Sequence, residues 1–331
     1  MASLSDMLQA KVRARSNIAL VKYWGKADSA LNTPAVGSIS ITLDGLWTDT
    51  EIRFDPSLTQ DRLELNGVER ADQLDRVSRC LDLVRELAET ERKAVVVSEN
   101  NFPTGAGLAS SASGFAALVG AAAAALELDL PARELSILAR RGSGSAARSL
   151  FGGFVEMYRG DAADGSDSFA EPLAPAEHWP LKVLVAITAK AEKAVGSGPG
   201  MALSAATSPY YKEWVASHPA DLDIARRAIA DRDFDVLADV SESSCLKMHA
   251  AAMSTVPPLL YWNGATVDCL NRVRALRSDG IPVFFTIDAG PQVKAVCLAG
   301  AESTIRTALE AVNGVESVVV TDLGPGLERL Q

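Results

Sequence analysis

The sequence predicts an α+β protein, strand-rich in its first half and helix-flanked in its second. Three observations carry this. Apolar and polar residues alternate through the early segments, helical patterning takes over from about residue 190, and no internal repeat emerges. The 331 residues, 48% of them hydrophobic, suffice for a substantial core and for two lobes.

In chain order, SISITLDGLWTDTEIRF (Ser38 to Phe54) alternates, and a polar turn leads into DRLELNGVE, which predicts antiparallel early strands. Residues 72–91 place Leu74, Val77, Leu81, Val84 and Leu87 at helical spacing. KAVVVSEN reads as a short buried strand entering FPTGAGLASSASGF. The alanine-rich FAALVGAAAAALEL then reads as a buried helix, too short to span a bilayer comfortably. DLPARELSILARRGSGSAARSLFGGFVEMY gives a helix with proline near its first turn, a second Gly/Ser loop and a strand from Gly153. Residues 159–178 read as an exposed polar loop, and LKVLVAITAK as a returning core strand. Helices follow in PGMALSAATSPYYKEWVAS, ADLDIARRAIADRDFDVLADVSESSCLKMHAAAM and GATVDCLNRVRALRSDG. The strands PVFFTIDAG and VKAVCLAG, a last helix and VESVVVTDLGPG complete the chain.

The 42 acidic residues exceed the 32 basic ones, giving a net charge of -10. That balance argues against general nucleic-acid or anionic-membrane binding, so a polyanionic ligand needs a locally positive pocket. Cys80, Cys245, Cys269 and Cys297 are widely spaced in apolar surroundings without a CxxC pair, as expected of reduced thiols in a cytoplasmic protein. The first 20 residues lack a basic start followed by a long apolar core, so neither a secretory signal nor a membrane anchor is expected. His178, His218 and His249 share no metal-ligand spacing with Cys or acidic residues.

Four segments could carry chemistry. In GAGLASS, Gly105 and Gly107 let consecutive backbone N–H groups converge at a helix start, and Ser110 and Ser111 add hydroxyl donors. This is an anion cradle or a tight strand-to-helix turn; it matches neither the Walker A loop nor GxGxxG. GSGSAARS sets Ser143 and Ser145 beside Arg148, whose planar fork suits a carboxylate or phosphate, although a helix end with a surface arginine reads equally well. In NIALVKYWGKAD, Lys22 and Lys26 flank Tyr23 and Trp24 and are either snorkelling surface lysines or a local positive field. Asp288, in VFFTIDAGPQV, caps a turn or sits at a strand end where a cation tunes it.

Taken in order, NIALVKYWGKAD, SENNFPTGAGLASSASGFAAL, ARRGSGSAARSLFGGFVE, GMALSAATSPYYKEW, PPLLYWN, FTIDAGPQV and the terminal GPG resemble the superfamily of galactokinase, homoserine kinase, mevalonate kinase and phosphomevalonate kinase. Within it they are similar to the diphosphomevalonate decarboxylases, over nearly the whole chain. The resemblance implies a two-lobed fold. Residues 1–189 would form an ATP-binding lobe like ribosomal protein S5 domain 2, and residues 190–331 a ferredoxin-like lobe. It also implies ATP and Mg2+, a homodimer, and mevalonate 5-diphosphate as the small-molecule substrate. That substrate would be phosphorylated on its 3-hydroxyl and then lose phosphate and carbon dioxide to give isopentenyl diphosphate.

On this resemblance Gly105, Ala106, Gly107, Leu108, Ser110 and Ser111 hold the ATP phosphates, with Ser111 also a candidate magnesium contact. Asp288 is general base or orienting acceptor at the 3-hydroxyl, Arg148 grips the substrate carboxylate, and Lys22 offsets charge beside Asp288. Tyr23, Trp24, Gly25, Lys26, Arg76, Ser143, Gly144 and Ser145 line the substrate site, and Ser197 contacts the 5-diphosphate. Two departures stand where substrate is read. Val36-Gly37 precede SISITL where the family often has Asn-Ser or Asn-Asn, and Gly198 offers no side chain where many members carry Arg or Thr. They keep open a relative acting on mevalonate 5-phosphate. Retention of Lys22 and Asp288 argues against a 3-kinase that stops after phosphorylation, and the intact set with Arg148 and Ser111 argues against a silent nucleotide binder.

Overall fold

The computed structural model describes residues 8–102, 107–189 and 194–331. The first lobe holds β1 (Leu8–Val21), the small hairpin of β2 (Lys26–Asp28) and β3 (Thr33–Pro34), β4 (Ser38–Asp55), β5 (Arg62–Leu65), β6 (Val68–Glu69), α1 (Ala71–Leu87), β7 (Lys93–Asn100), α2 (Ser110–Ala125), α3 (Ala132–Gly142), β8 (Phe154–Met157) and β9 (Ala170–Ala174). The second holds β10 (Lys182–Ile187), α4 (Ser197–Thr207), α5 (Tyr211–Asp231), α6 (Phe234–Met253), α7 (Gly264–Ser278), β11 (Val283–Thr286), β12 (Val293–Cys297), α8 (Glu302–Glu310) and β13 (Ser317–Asp322). The last strand, β14 (Glu328–Arg329), returns to pair with β1.

β1 and β4 form the spine of the first sheet, ordered β14-β1-β4-β7-β5-β6, with β8 and β9 added along the first part of β4. Ala10, Val12, Ala14, Ile52 and Phe54 pack against α1 and α2. Twelve of the sixteen residues of α2 are buried, which places this helix inside the lobe rather than on its surface. Its small side chains permit the close approach: a Cβ on Gly120 would lie 2.5 Å from Leu327.

The second sheet, β11-β12-β10-β13, is antiparallel throughout. Leu184, Ala186, Phe285, Ala295 and Cys297 face a core with residues of α7 and α8. The alternate residues Val183, Val185, Phe284 and Val296 face Ile18, Leu20, Ile39 and Ile41 of the first sheet. A sheet covered on both faces needs apolar residues at consecutive positions, which is why these strands read as unbroken runs. The shared core joins the two lobes.

Several expectations shift. Strand pairing puts β10 in the second sheet and returns β14 to the first. GSGSAARS is mostly a 3-10 turn over Gly144–Leu150 rather than a loop. The helical stretch after residue 219 breaks at Arg232, whose backbone is left-handed (φ 57°), and restarts where Asp233 Oδ1 accepts from Val236 N at 3.1 Å. The early half of β1 carries no strand pattern in the sequence. Its inward residues Ala10 and Ala14 are too small to register as an alternating apolar face.

All four cysteines are free and buried. Among the described residues no group of His, Cys, Asp and Glu could hold a metal ion, and no helix is long and apolar enough to cross a membrane. His218 and His249 are each 1% exposed. Burial pushes their imidazoles down to about 4 and about 3. An unfolded chain protonates both near its ordinary value of about 6.5. As pH falls from about 6.5 toward about 4, the unfolded state therefore gains up to about two protons that the folded state refuses, and stability declines by up to about 2.7 kcal/mol per pH unit. Urea unfolding between pH about 7 and about 5 should show that decline. A flat profile would contradict two neutral buried imidazoles.

Candidate active site

The site lies where the two sheets face each other. Lys22 follows the last residue of β1, Asp288 lies two residues beyond β11, and Lys294 is the second residue of β12. In the β11–β12 register Thr286 pairs with Lys294, so residues 284, 286 and 288 share a sheet face with 294 and 296. That face looks toward the first lobe, where Thr286 Oγ1 donates to Ala19 O at 3.1 Å.

Lys22 Nζ lies 2.7 Å from Asp288 Oδ1 and also donates to Ala19 O at 2.8 Å. Lys294 Nζ lies 3.3 Å from Asp288 Oδ2. Both lysine side chains are 1% exposed and the aspartate is 23% exposed, so the ammonium groups form the floor beneath it, with Asp288 Oδ2 itself buried and without a hydrogen bond. Burial by itself would raise the Asp288 carboxyl; the two ammonium groups overcome this and hold it well below the usual carboxylate range. Lys22 is therefore not a snorkelling surface lysine. Lys26 is half-buried, and burial together with the charge of Arg76 lowers its ammonium.

Arg148 is buried. Its Nε donates to Asn17 Oδ1 at 3.2 Å and its Nη1 to Ser38 Oγ at 2.6 Å, while Asn17 Nδ2 donates to Ser149 Oγ at 2.7 Å. Burial lowers the guanidinium to about 10, against the opposing pull of Asp288, so it stays charged at neutral pH. Tyr23 stands beside it, with Arg148 Cζ 6.0 Å from the ring centroid. Burial pushes the Tyr23 hydroxyl up to about 12, making it a neutral donor. A Cβ on Gly144 would lie 2.4 Å from that hydroxyl oxygen, so glycine is what admits the ring here.

The described end of the glycine-rich loop is pegged from both lobes. Ser16 Oγ donates to Leu108 O at 2.6 Å, and Lys294 Nζ donates to Gly107 O at 2.8 Å. Gly107 has φ +82°, and a Cβ there would lie 2.8 Å from Gly290 Cα, so the loop closes directly onto the turn after Asp288. Gly105 and Ala106 lie outside the described residues. Ser110 and Ser111 open α2. Ser143 Oγ reaches Ser111 Oγ at 3.5 Å and Ser145 Oγ at 3.4 Å, which joins the two Gly/Ser segments into one hydroxyl row. Beside them a cleft of about 100 Å³ opens, lined by apolar Leu63, Val96, Phe115 and Leu118 together with Ser110 and Ser111.

Other expected residues are placed differently. Trp24 is 1% exposed and donates to Ser204 Oγ at 2.9 Å, so it packs α4 against the site. Gly25 has φ +107°, and a Cβ there would lie 1.8 Å from the Tyr211 hydroxyl. Arg76 caps α3, donating from Nε and Nη2 to Gly142 O at 3.0 and 2.8 Å, with its guanidinium over Phe115. Ser197 is the first residue of α4, two turns before the Ser204 contact with Trp24. A Cβ on Gly198 would meet nothing within 4 Å, whereas one on Gly37 would lie 2.9 Å from Leu222.

Sequence reasoning missed Lys294, Asn17 and Ser38. Lys294 did leave a signal: it is the one charged residue in VKAVC, a strand buried at every position. Asn17 and Ser38 left none, because buried hydroxyl and amide side chains are also routine strand residues.

Residues 14–170 match the family model of the diphosphomevalonate decarboxylase-like N-terminal domain, and residues 183–326 that of the mevalonate 5-diphosphate decarboxylase C-terminal domain. The chain is 38% identical to diphosphomevalonate decarboxylase of Candida albicans over 97% of each chain. It is 39% identical to the human enzyme over 88% of this chain and 77% of that one. Among solved structures, MDDEF in complex with MVAPP, AMPPCP and magnesium superposes with a TM-score of 0.91 at 41% identity, covering 98% of this chain and 99% of the other. Mevalonate diphosphate decarboxylase of Staphylococcus aureus superposes at 0.93 with 38% identity over the whole of both chains. With both family models matched and the Lys22–Asp288 pair, Arg148 and the glycine-rich loop drawn together, the chain belongs to the diphosphomevalonate decarboxylase family.

Proposed function

We propose that this chain converts mevalonate 5-diphosphate and ATP to isopentenyl diphosphate, ADP, phosphate and carbon dioxide, with Asp288, Lys22 and Arg148 at the reacting centre. The observation that carries the reading is the carboxylate of Asp288 held between two buried ammonium groups, at the foot of the glycine-rich loop. A tertiary hydroxyl is a poor leaving group, and phosphorylation makes its departure possible.

Asp288 accepts a hydrogen bond from the 3-hydroxyl and aims it at the γ-phosphate. Held well below the usual carboxylate range, it is anionic at neutral pH and a weak base, which suits an orienting acceptor. Phosphoryl transfer through a loose transition state asks little more of it. Lys22 compensates the charge of Asp288 and of the arriving phosphoryl group. Arg148, pinned by Asn17 and Ser38, holds the substrate carboxylate so that the bond to it stays aligned with the C3–O bond. On departure the C3–O pair leaves with phosphate, and the pair of the breaking C–C bond becomes the new double bond.

Gly107, Leu108, Ser110 and Ser111 hold the phosphates of ATP, and the neighbouring apolar cleft takes its base. A magnesium ion would arrive on those phosphates, with Ser111, the second residue of α2, as its protein contact. When bound, the ion neutralises phosphate charge. Ser197, at the first turn of α4, receives the 5-diphosphate, the helix start supplying attraction where Gly198 has no side chain. Burial of all four thiols fits a cytoplasmic protein, and the family resemblance supports a homodimer.

The direct test supplies Mg-ATP with mevalonate, its 5-phosphate or its 5-diphosphate and measures ADP and carbon dioxide. Equal yields from the diphosphate alone are expected, and ADP without carbon dioxide would contradict the proposal. Asp288→Asn should lower turnover by about 10²-fold or more while nucleotide still binds; normal turnover would remove Asp288 from the mechanism. Arg148→Lys should fail as well, because an ammonium cannot make the same pair of hydrogen bonds while held by Asn17 and Ser38. Wild-type rates in that variant would show that the carboxylate is gripped elsewhere.

A further inference from the structure

The proposed function uses one lysine beside the aspartate, yet the structure holds two. Lys294 is enclosed in the middle of a sheet, 1% exposed, and it touches two groups from different parts of the site: Gly107 O of the loop at 2.8 Å and Asp288 Oδ2 at 3.3 Å. Among the described residues Lys22 makes no hydrogen bond to that loop; its side-chain acceptors are Asp288 and Ala19 O. The two lysines are therefore not equivalent.

The loop poses an electrostatic problem. It is read as the seat of an anionic triphosphate, and its described end lies against the turn that carries an anionic aspartate, with Gly107 and Gly290 in backbone contact. Two like charges in a poorly hydrated site repel each other far more than they would in water. Lys294 is the cation that reaches both sides of that contact, hydrogen-bonded to Gly107 O and ion-paired with Asp288 Oδ2.

We propose that Lys294 is a positioning residue that screens Asp288 from the phosphates of the bound nucleotide and ties the seating of the loop to the placement of that carboxylate. The inference rests on the nucleotide reading of the loop. If Lys294 were only a peg for the Gly107 carbonyl, removing it would loosen the loop equally whether or not residue 288 is charged. If it screens, its removal hurts nucleotide binding because Asp288 keeps only Lys22, on its other oxygen, and its Oδ2 side is left without a cation, and neutralising that carboxylate relieves the loss.

A double-mutant cycle separates the two, read by calorimetric titration of Mg2+ and the ATP analogue AMPPCP into protein saturated with mevalonate 5-diphosphate. Lys294→Met should weaken AMPPCP about tenfold beside Asp288, but about twofold or less in the Asp288→Asn background. Equal losses in both backgrounds, or no loss in either, would overturn the proposal. Lys294→Gln removes the charge while keeping a donor for the Gly107 carbonyl; it should give the same pattern and serves if the methionine variant does not fold. Wild-type protein that binds no AMPPCP would refute the nucleotide reading and this inference with it, whereas normal wild-type binding with an additive cycle would refute this inference alone.

Discussion

Two buried ammonium groups with one carboxylate between them form the constraint to which the rest of the structure answers. Buried charges are costly unless paired, and removing one partner of a buried pair typically costs about 3–5 kcal/mol because the other charge is left behind. Lys22 comes from the end of β1, and Asp288 and Lys294 come from β11 and β12. Lys294 meets the carboxylate from within its own sheet, whereas the buried Lys22 ammonium pairs with it only because the two sheets meet. The apolar core shared by Ile18, Leu20, Ile39, Ile41, Val183, Val185, Phe284 and Val296 supplies the force that brings them together.

The period-two geometry of a strand then turns this meeting into a site. Phe284 and Val296 enter the shared core, and the same sheet face carries Thr286, Asp288 and Lys294 further along. A one-residue slip of β11 against β12 would send Asp288 to the face covered by α7 and α8. From the first lobe, the same alignment brings Ser16 to the loop, Asn17 to Arg148 and Lys22 to Asp288, all from β1 or its end. Stability and chemistry thus share one set of strands, with loops contributing mainly where glycine allows backbone to approach backbone, as at Gly107.

How far the sequence could be read follows from which signals are local. Alternation in β4, helical spacing in α1 and the glycine-rich start of α2 are local patterns, and each lies close to where it was expected. The start of β1 was hidden because alanines make a weak apolar face, and the pairing of β14 with β1 joins residues that no local pattern relates. At the site, the motif residues Lys22, Arg148 and Asp288 stood out by type and order. Whether Lys22 was buried or snorkelling could not be decided from KYWGK, because its partner lies 266 positions away. Lys294 was overlooked inside VKAVC since a single lysine in a strand is ordinarily an outward residue; only a sheet covered on both faces makes it a buried charge.

The central claim is that the two lysines keep the carboxylate of Asp288 ionised well below the range in which aspartates ordinarily titrate. Carboxyl 13C shifts of aspartate-labelled protein, with the Asp288 signal assigned by its loss in Asp288→Asn, measure this directly as the pH is lowered from about 7 toward about 4. Ordinary aspartates begin to titrate across that window, their midpoint being about 3.9. The Asp288 signal should stay flat throughout; an inflection at or above about 4 would mean that the two ammonium groups do not hold the carboxyl down.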